Sequence, residues 1–106
     1  MEVNAITFGG QCVRSPIPRP YGDKGKILCN LVLVNRSGKN PIFVECIAFD
    51  TEADLIASYI EKGDEIIVEG KLAQETWIEQ DTNKKRERIK IAVRKSYSKK
   101  YPPVIS

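Results

Sequence analysis

The hydrophobic pattern of this chain leaves a strand-like alternation only once, just after residue 50, and that single change constrains the fold more than any other feature. Leu55, Ile56, Tyr59 and Ile60 recur at i, i+1, i+4 and i+5, the apolar stripe of a short helix. Thr51, with Asp54 three residues on, predicts an N-cap with a supporting acid, and Lys62 and Gly63 supply a favourable charge and a stop. Before this helix, residues 3–12 read as a strand bent or bulged at Gly9-Gly10. Residues 15–25, with Pro16, Pro18, Pro20, Gly22 and Gly25, read as a loop. Residues 26–35 form a second strand, residues 36–41 a short turn and residues 42–49 a third strand. After the helix, residues 65–78 make a long strand bent at Gly70, and residues 81–84 turn. Residues 87–93 then alternate Ile89, Ile91 and Val93 inward.

The order is β-β-β-α-β-β, within a length of 106 residues that suits one domain with a modest core. An all-β, five-stranded OB barrel fits it, with a bent first strand and a helix between the third and fourth strands that plugs one end. Residues 1–94 are assigned to this domain and residues 95–106 to a basic C-terminal tail.

Composition narrows the chemistry. The three cysteines, Cys12, Cys29 and Cys46, are odd in number and sit in apolar strand-like stretches, as reduced core residues of a cytoplasmic protein do. With no histidine and no paired cysteines, neither a zinc site nor a hydrolytic triad has parts to build on. We expect no enzyme activity, metal, cofactor or small-molecule substrate. The acids Asp50, Glu52 and Asp54 read as helix-start charges. No run of residues has the length of a membrane span or the pattern of a signal peptide.

Aromatic placement is the main pointer to function. In Ile42–Phe49, IFVECIAF, alternation puts Val44, Cys46 and Ala48 on a core side and Phe43, Glu45, Ile47 and Phe49 on the other. Two rings beside a carboxylate do not make a second sealed core. They suit stacking of the bases of a single strand, or they seal a subunit interface or a small satellite core. Charge is uneven: residues 1–70 carry a net −3 and residues 71–106 a net +6. Within residues 84–106 nine Lys or Arg face one acid, Glu87, and are interleaved with Tyr97 and Tyr101, as a phosphate backbone would require. A solvated tail is the competing reading of that segment.

Several fragments together resemble the bacterial and phage single-stranded DNA-binding protein family. Residues 4–10, NAITFGG, resemble its opening strand, and Ser15-Pro16 resembles its Asp-Pro turn. Gly25-Lys26, Asn30 and Leu33-Val34-Asn35-Arg36 are similar to its second strand, and residues 43–49 to its third. Residues 59–72, YIEKGDEIIVEGKL, are the most specific match, to the family's helix end and the hairpin that follows. The fragments occur in order over residues 3–93.

The resemblance implies that Phe43, Phe49 and Trp77 are base-stacking platforms and that Lys26, Arg36 and Lys71 contact phosphate, with Arg86 and Arg88 on the last strand as further candidates. Three departures matter. The turn at residues 36–41 is shorter than the family's long hairpin; Ala73 and Glu75 stand where many relatives are basic; and residues 101–106 lack the family's linker and acidic tip for recruiting replication enzymes. The expected function is binding of single-stranded DNA with little sequence preference, protecting it in replication, recombination or repair, by a homo-oligomer, dimer or tetramer, with no membrane partner. The tail, through Arg94, Lys95, Lys99, Lys100, Tyr97 and Tyr101, is expected to act as an auxiliary clamp. The alternatives are a primosomal-replication-protein-like OB module that bridges replication proteins, or a structural OB module that binds only protein.

Overall fold

Alternating apolar residues build the interior from five strands and the helix. The computed structural model describes residues 1–103, with β1 at Ile6–Cys12, β2 at Ile17–Tyr21, β3 at Lys26–Asn35, β4 at Ile42–Phe49, α1 at Asp50–Tyr59, β5 at Glu65–Ile78 and β6 at Lys85–Tyr97. Cys12 of β1, Cys29, Leu31 and Leu33 of β3, Cys46 and Ala48 of β4, Ile66 and Val68 of β5, and Ile91 and Val93 of β6 meet Ala53, Ile56 and Ile60 from the helical segment. All three cysteines are buried and free. Burial lifts the Cys46 thiol to about 12 and the Cys29 thiol to about 11, each helped by the nearby Cys12.

The strand order β1-β5-β6-β4-β3 closes on itself because β1 also pairs with β3, giving a ring of five strands in an OB-type barrel. β1 pairs with β5 through Gln11, and Gln11 and Cys12 then pair with Val34 and Leu33. Gly10 permits the switch, since a Cβ there would stand 2.5 Å from the Val34 carbonyl oxygen. The expected bend at Gly70 is a register shift between Glu69 and Gly70, where a Cβ would overlap the Ala92 carbonyl.

Residues 15–25 depart from the expected loop. Residues 17–21 form β2, an edge strand outside the ring that pairs with β3 from Ile17↔Asn30 to Tyr21↔Lys26. An edge strand needs donors on one side only, and prolines at alternate positions leave the N–H groups of Ile17, Arg19 and Tyr21 for β3.

The helix start also differs. Its N-cap position is Phe49, with no side-chain cap, and Asp50 (φ +53°) turns the chain out of β4. A short polar side chain tolerates that left-handed conformation, and its carboxylate accepts a 2.9 Å hydrogen bond from the Tyr21 hydroxyl. Helix α1 ends at Tyr59, so Lys62 lies beyond its last turn. Gly63, at φ +90°, donates its N–H to the Cys12 carbonyl and ties this connection to β1.

β6 runs to Tyr97, past the expected domain end at residue 94, and the chain then folds back on the barrel. The buried Ser96 hydroxyl donates to Glu52 Oε1 (2.6 Å) and shares a 2.8 Å hydrogen bond with the Tyr101 hydroxyl. Tyr101 packs against the core and lies edge-on to Tyr59. Lys100 pairs with Asp64 at 3.0 Å. The Asp64 carboxyl is lowered from the ordinary range, first by the Glu61 N–H and then by Lys100. Residues 104–106 of the expected tail lie outside the described residues.

Candidate nucleic-acid interface

The outer faces of β2, β3, β4, β6 and β5 form one surface, and strand register decides what stands on it. On β4 the period-two pattern turns Phe43, Glu45, Ile47 and Phe49 away from the core. Phe43 is 60% and Phe49 42% exposed. β5 and β6 extend together beyond the barrel as an arm, pairing Ala73↔Lys90, Glu75↔Arg88 and Trp77↔Arg86. Trp77 is 40% exposed, and the Arg88 guanidinium lies 5.1 Å from its ring centre, fixing it by a cation–π contact.

Ile89, expected to point inward, is 62% exposed. It pairs with Gln74 on the arm, where the barrel has ended and there is no core left to enter. With Phe8, Phe43 and Leu72 it lines a groove of about 440 Å³.

Arg86, Arg88 and Lys90 of β6 form a ladder along this surface, and each of these three is held by a carboxylate. Arg86 Nε meets Glu79 Oε2 at 2.8 Å, Arg88 meets Glu45 at 3.4 Å, and Lys90 Nζ meets Glu75 Oε1 at 3.1 Å. Lys90 is only 7% exposed and also donates to Asn30 Oδ1 at 3.0 Å. Between β2 and β6 runs a groove of about 470 Å³, lined by Arg14, Arg19, Asn30, Glu45, Arg88 and Lys90 among others.

The sequence-predicted residues divide accordingly. Phe43, Trp77, Arg86 and Arg88 fall on the β4 and arm portion of the face, and Lys71, paired with Ala92, continues the row of Trp77, Glu75 and Ala73. Phe49 and Lys26 lie towards the β2–β3 hairpin, where Tyr21 packs edge-on against Phe49 with ring centres 5.5 Å apart. Arg36 is elsewhere. It donates to Gln11 Oε1 at 2.9 Å and lines a separate groove of about 450 Å³ with Gly10, Tyr97 and Lys99.

Sequence reasoning missed Arg14, Arg19, Tyr21, Asn30 and Lys90. The first three lie in or beside the segment read as a loop. The alternation of Arg86, Arg88 and Lys90 at every second position was a usable signal for the fifth.

A closed five-stranded barrel with exposed rings and cations on one outer face has the parts to stack bases and to meet phosphates. Residues 3–98 match the single-strand binding protein family. The chain belongs to this family. As one relative, it is 26% identical over 100 residues to the single-stranded DNA-binding protein of Borreliella burgdorferi, an alignment covering 87% of this chain and 66% of that protein. The chain thus spans just under two thirds of the relative's length. Among the described residues of this family member, no helix is long and apolar enough to cross a membrane.

Proposed function

We propose that this family member binds single-stranded DNA with little sequence preference, along the outer face from the β2–β3 hairpin to the β5–β6 arm. The observation that carries the reading is the run of exposed Phe49, Phe43 and Trp77 on the face that also holds Arg86, Arg88 and Lys90. A ring accepts any base, because every base has a π-face, and each stack contributes about 1–3 kcal/mol. Phe43 and Phe49 lie six residues apart on β4, about 20 Å along the strand, so one domain offers a short track. Repetition of that track in a homo-oligomer lengthens it, and protection of exposed strands during replication, recombination or repair is the role such a track serves. Lys26, Lys71, Arg14 and Arg19 are the phosphate contacts at the margins of the face, while Arg36 faces the separate groove and contributes little.

Fluorescence anisotropy with labelled oligo-dT, oligo-dA, oligo-rU and a duplex of equal length tests the proposal. The expected result is tight binding to both DNA single strands, within about tenfold of each other, and much weaker binding to the duplex. Equal affinity for duplex, or no affinity for any single strand, overturns it. The second of these results, with retained affinity for a protein, would support a protein-binding OB module.

A further inference from the structure

Three cations that β6 presents to the stacking face are already occupied. Arg86, Arg88 and Lys90 are paired with Glu79, Glu45 and Glu75, whereas Arg14 and Arg19, on the β2 side of the same groove, make no ion pair among the described residues. A carboxylate and a phosphate present the same chemistry to an ammonium or a guanidinium: anionic oxygens that accept charge-assisted hydrogen bonds. Glu45 from β4 and Glu75 from β5 reach across strands to do this, so those two pairs are products of the fold, whereas Glu79 meets Arg86 across the β5–β6 turn.

We propose that Glu45, Glu75 and Glu79 are built-in competitors of the phosphate backbone, holding Arg88, Lys90 and Arg86 in position and lowering affinity so that a bound strand exchanges readily. The inference rests on the reading of this face as the single-strand site. A strand meets Arg14 and Arg19 directly, but gains Arg86, Arg88 and Lys90 only by displacing a carboxylate from each.

Lys90 is the most informative of the three, because its ammonium is nearly buried and has two partners among the described residues, Glu75 and Asn30. Loss of the Glu75 charge leaves a buried cation short of its counter-ion, which weakens the free protein. A phosphate in the groove restores what was lost. Stability without DNA and affinity for DNA therefore move in opposite directions at this position, an effect that a purely structural ion pair would not produce.

The test measures oligo-dT affinity across a salt series, and melting temperature with and without oligo-dT, for the wild type, E45Q, E75Q, E79Q and E61Q. E61Q removes the same charge outside the groove. At low salt E45Q and E75Q are expected to bind about twofold to fivefold more tightly than wild type, the range that a released partly exposed pair can supply. Their log–log salt slopes should steepen by about 0.7, one further phosphate neutralised on a single strand. E75Q should melt lower than wild type without DNA and gain more on adding it. E45Q, whose partner Arg88 is half-exposed, keeps the test valid if E75Q folds poorly. E45Q and E79Q binding no more tightly than wild type, or no more tightly than E61Q, would overturn the proposal and leave the carboxylates as spacers. Wild type failing to bind oligo-dT at all would instead overturn the single-strand reading, and the competitor role with it.

Discussion

Replacing Phe43 by Ala separates a stacking platform from a core residue, because the two readings predict losses in different quantities. Truncating a fully enclosed phenylalanine lowers stability by about 3–5 kcal/mol. Phe43 is 60% exposed and borders the groove at the end of the barrel, so about two-fifths of that contact is present and the expected loss is about 1–2 kcal/mol. Removal of a stacked base contact weakens binding by about 1–3 kcal/mol, or roughly fivefold to 150-fold in Kd. Urea denaturation followed by Trp77 emission gives the first quantity, where a lowered midpoint at constant slope reports stability alone. Titration with labelled oligo-dT gives the second. Phe49→Ala should lose somewhat more stability, since its ring is 42% exposed and also packs edge-on against Tyr21. A stability loss of about 3–5 kcal/mol for Phe43→Ala with unchanged affinity would refute the reasoning.

Three further outcomes are expected. Gly70→Ala should fail to fold or lose several kcal/mol, because its Cβ would overlap the Ala92 carbonyl, which is backbone and cannot swing aside; a near-native melting temperature would show that the bulge relaxes. The Cys46 thiol stays protonated in the fold up to about pH 12 but ionises near its ordinary value of about 9 when unfolded, so its stabilisation is complete below pH 9 and falls as pH rises towards 12. Denaturation at pH 8 and pH 10.5 should show a steeper alkaline loss for wild type than for Cys46→Ala, by about 1.4 kcal/mol per pH unit at most. Tyr101→Ala should lower stability by about 2–3 kcal/mol through lost packing and the broken hydrogen bond to Ser96, while leaving oligo-dT affinity unchanged; weakened binding at full stability would restore a clamp role for this segment.

The barrel was legible because its strands alternate strongly and its one helix interrupts them once. The two glycine sites were also readable, since Gly10 and Gly70 stand where backbones approach too closely for a Cβ. β2 was not readable. Its prolines are a loop signal in isolation, and only the edge position beside β3 makes alternate prolines compatible with a strand. The pattern of Ile89, Ile91 and Val93 correctly put three residues on one side of β6, but alternation does not say where the barrel stops, and Ile89 lies beyond it. On the face itself, the exposure of Phe43 and Phe49 followed from the small residues opposite them. The pairing of Arg88 and Lys90 with carboxylates did not, because Glu45 and Glu75 arrive from other strands through a register that no local pattern fixes. Tyr101 was misplaced for a related reason: its partners Ser96 and Tyr59, and the Glu52 that accepts from Ser96, are brought together only by the closed fold.

The most direct test of the account uses the chain's single tryptophan, which sits on the arm beneath Arg88 with 40% of its surface open. Titrating the intact protein with oligo-dT while following both Trp77 emission and the anisotropy of a labelled strand reports contact and binding together. The account predicts that emission is quenched in step with the anisotropy rise, and that Trp77→Phe retains more affinity than Trp77→Ala. Binding seen by anisotropy with Trp77 emission unchanged would contradict it, because the strand would then pass over some other surface of the barrel.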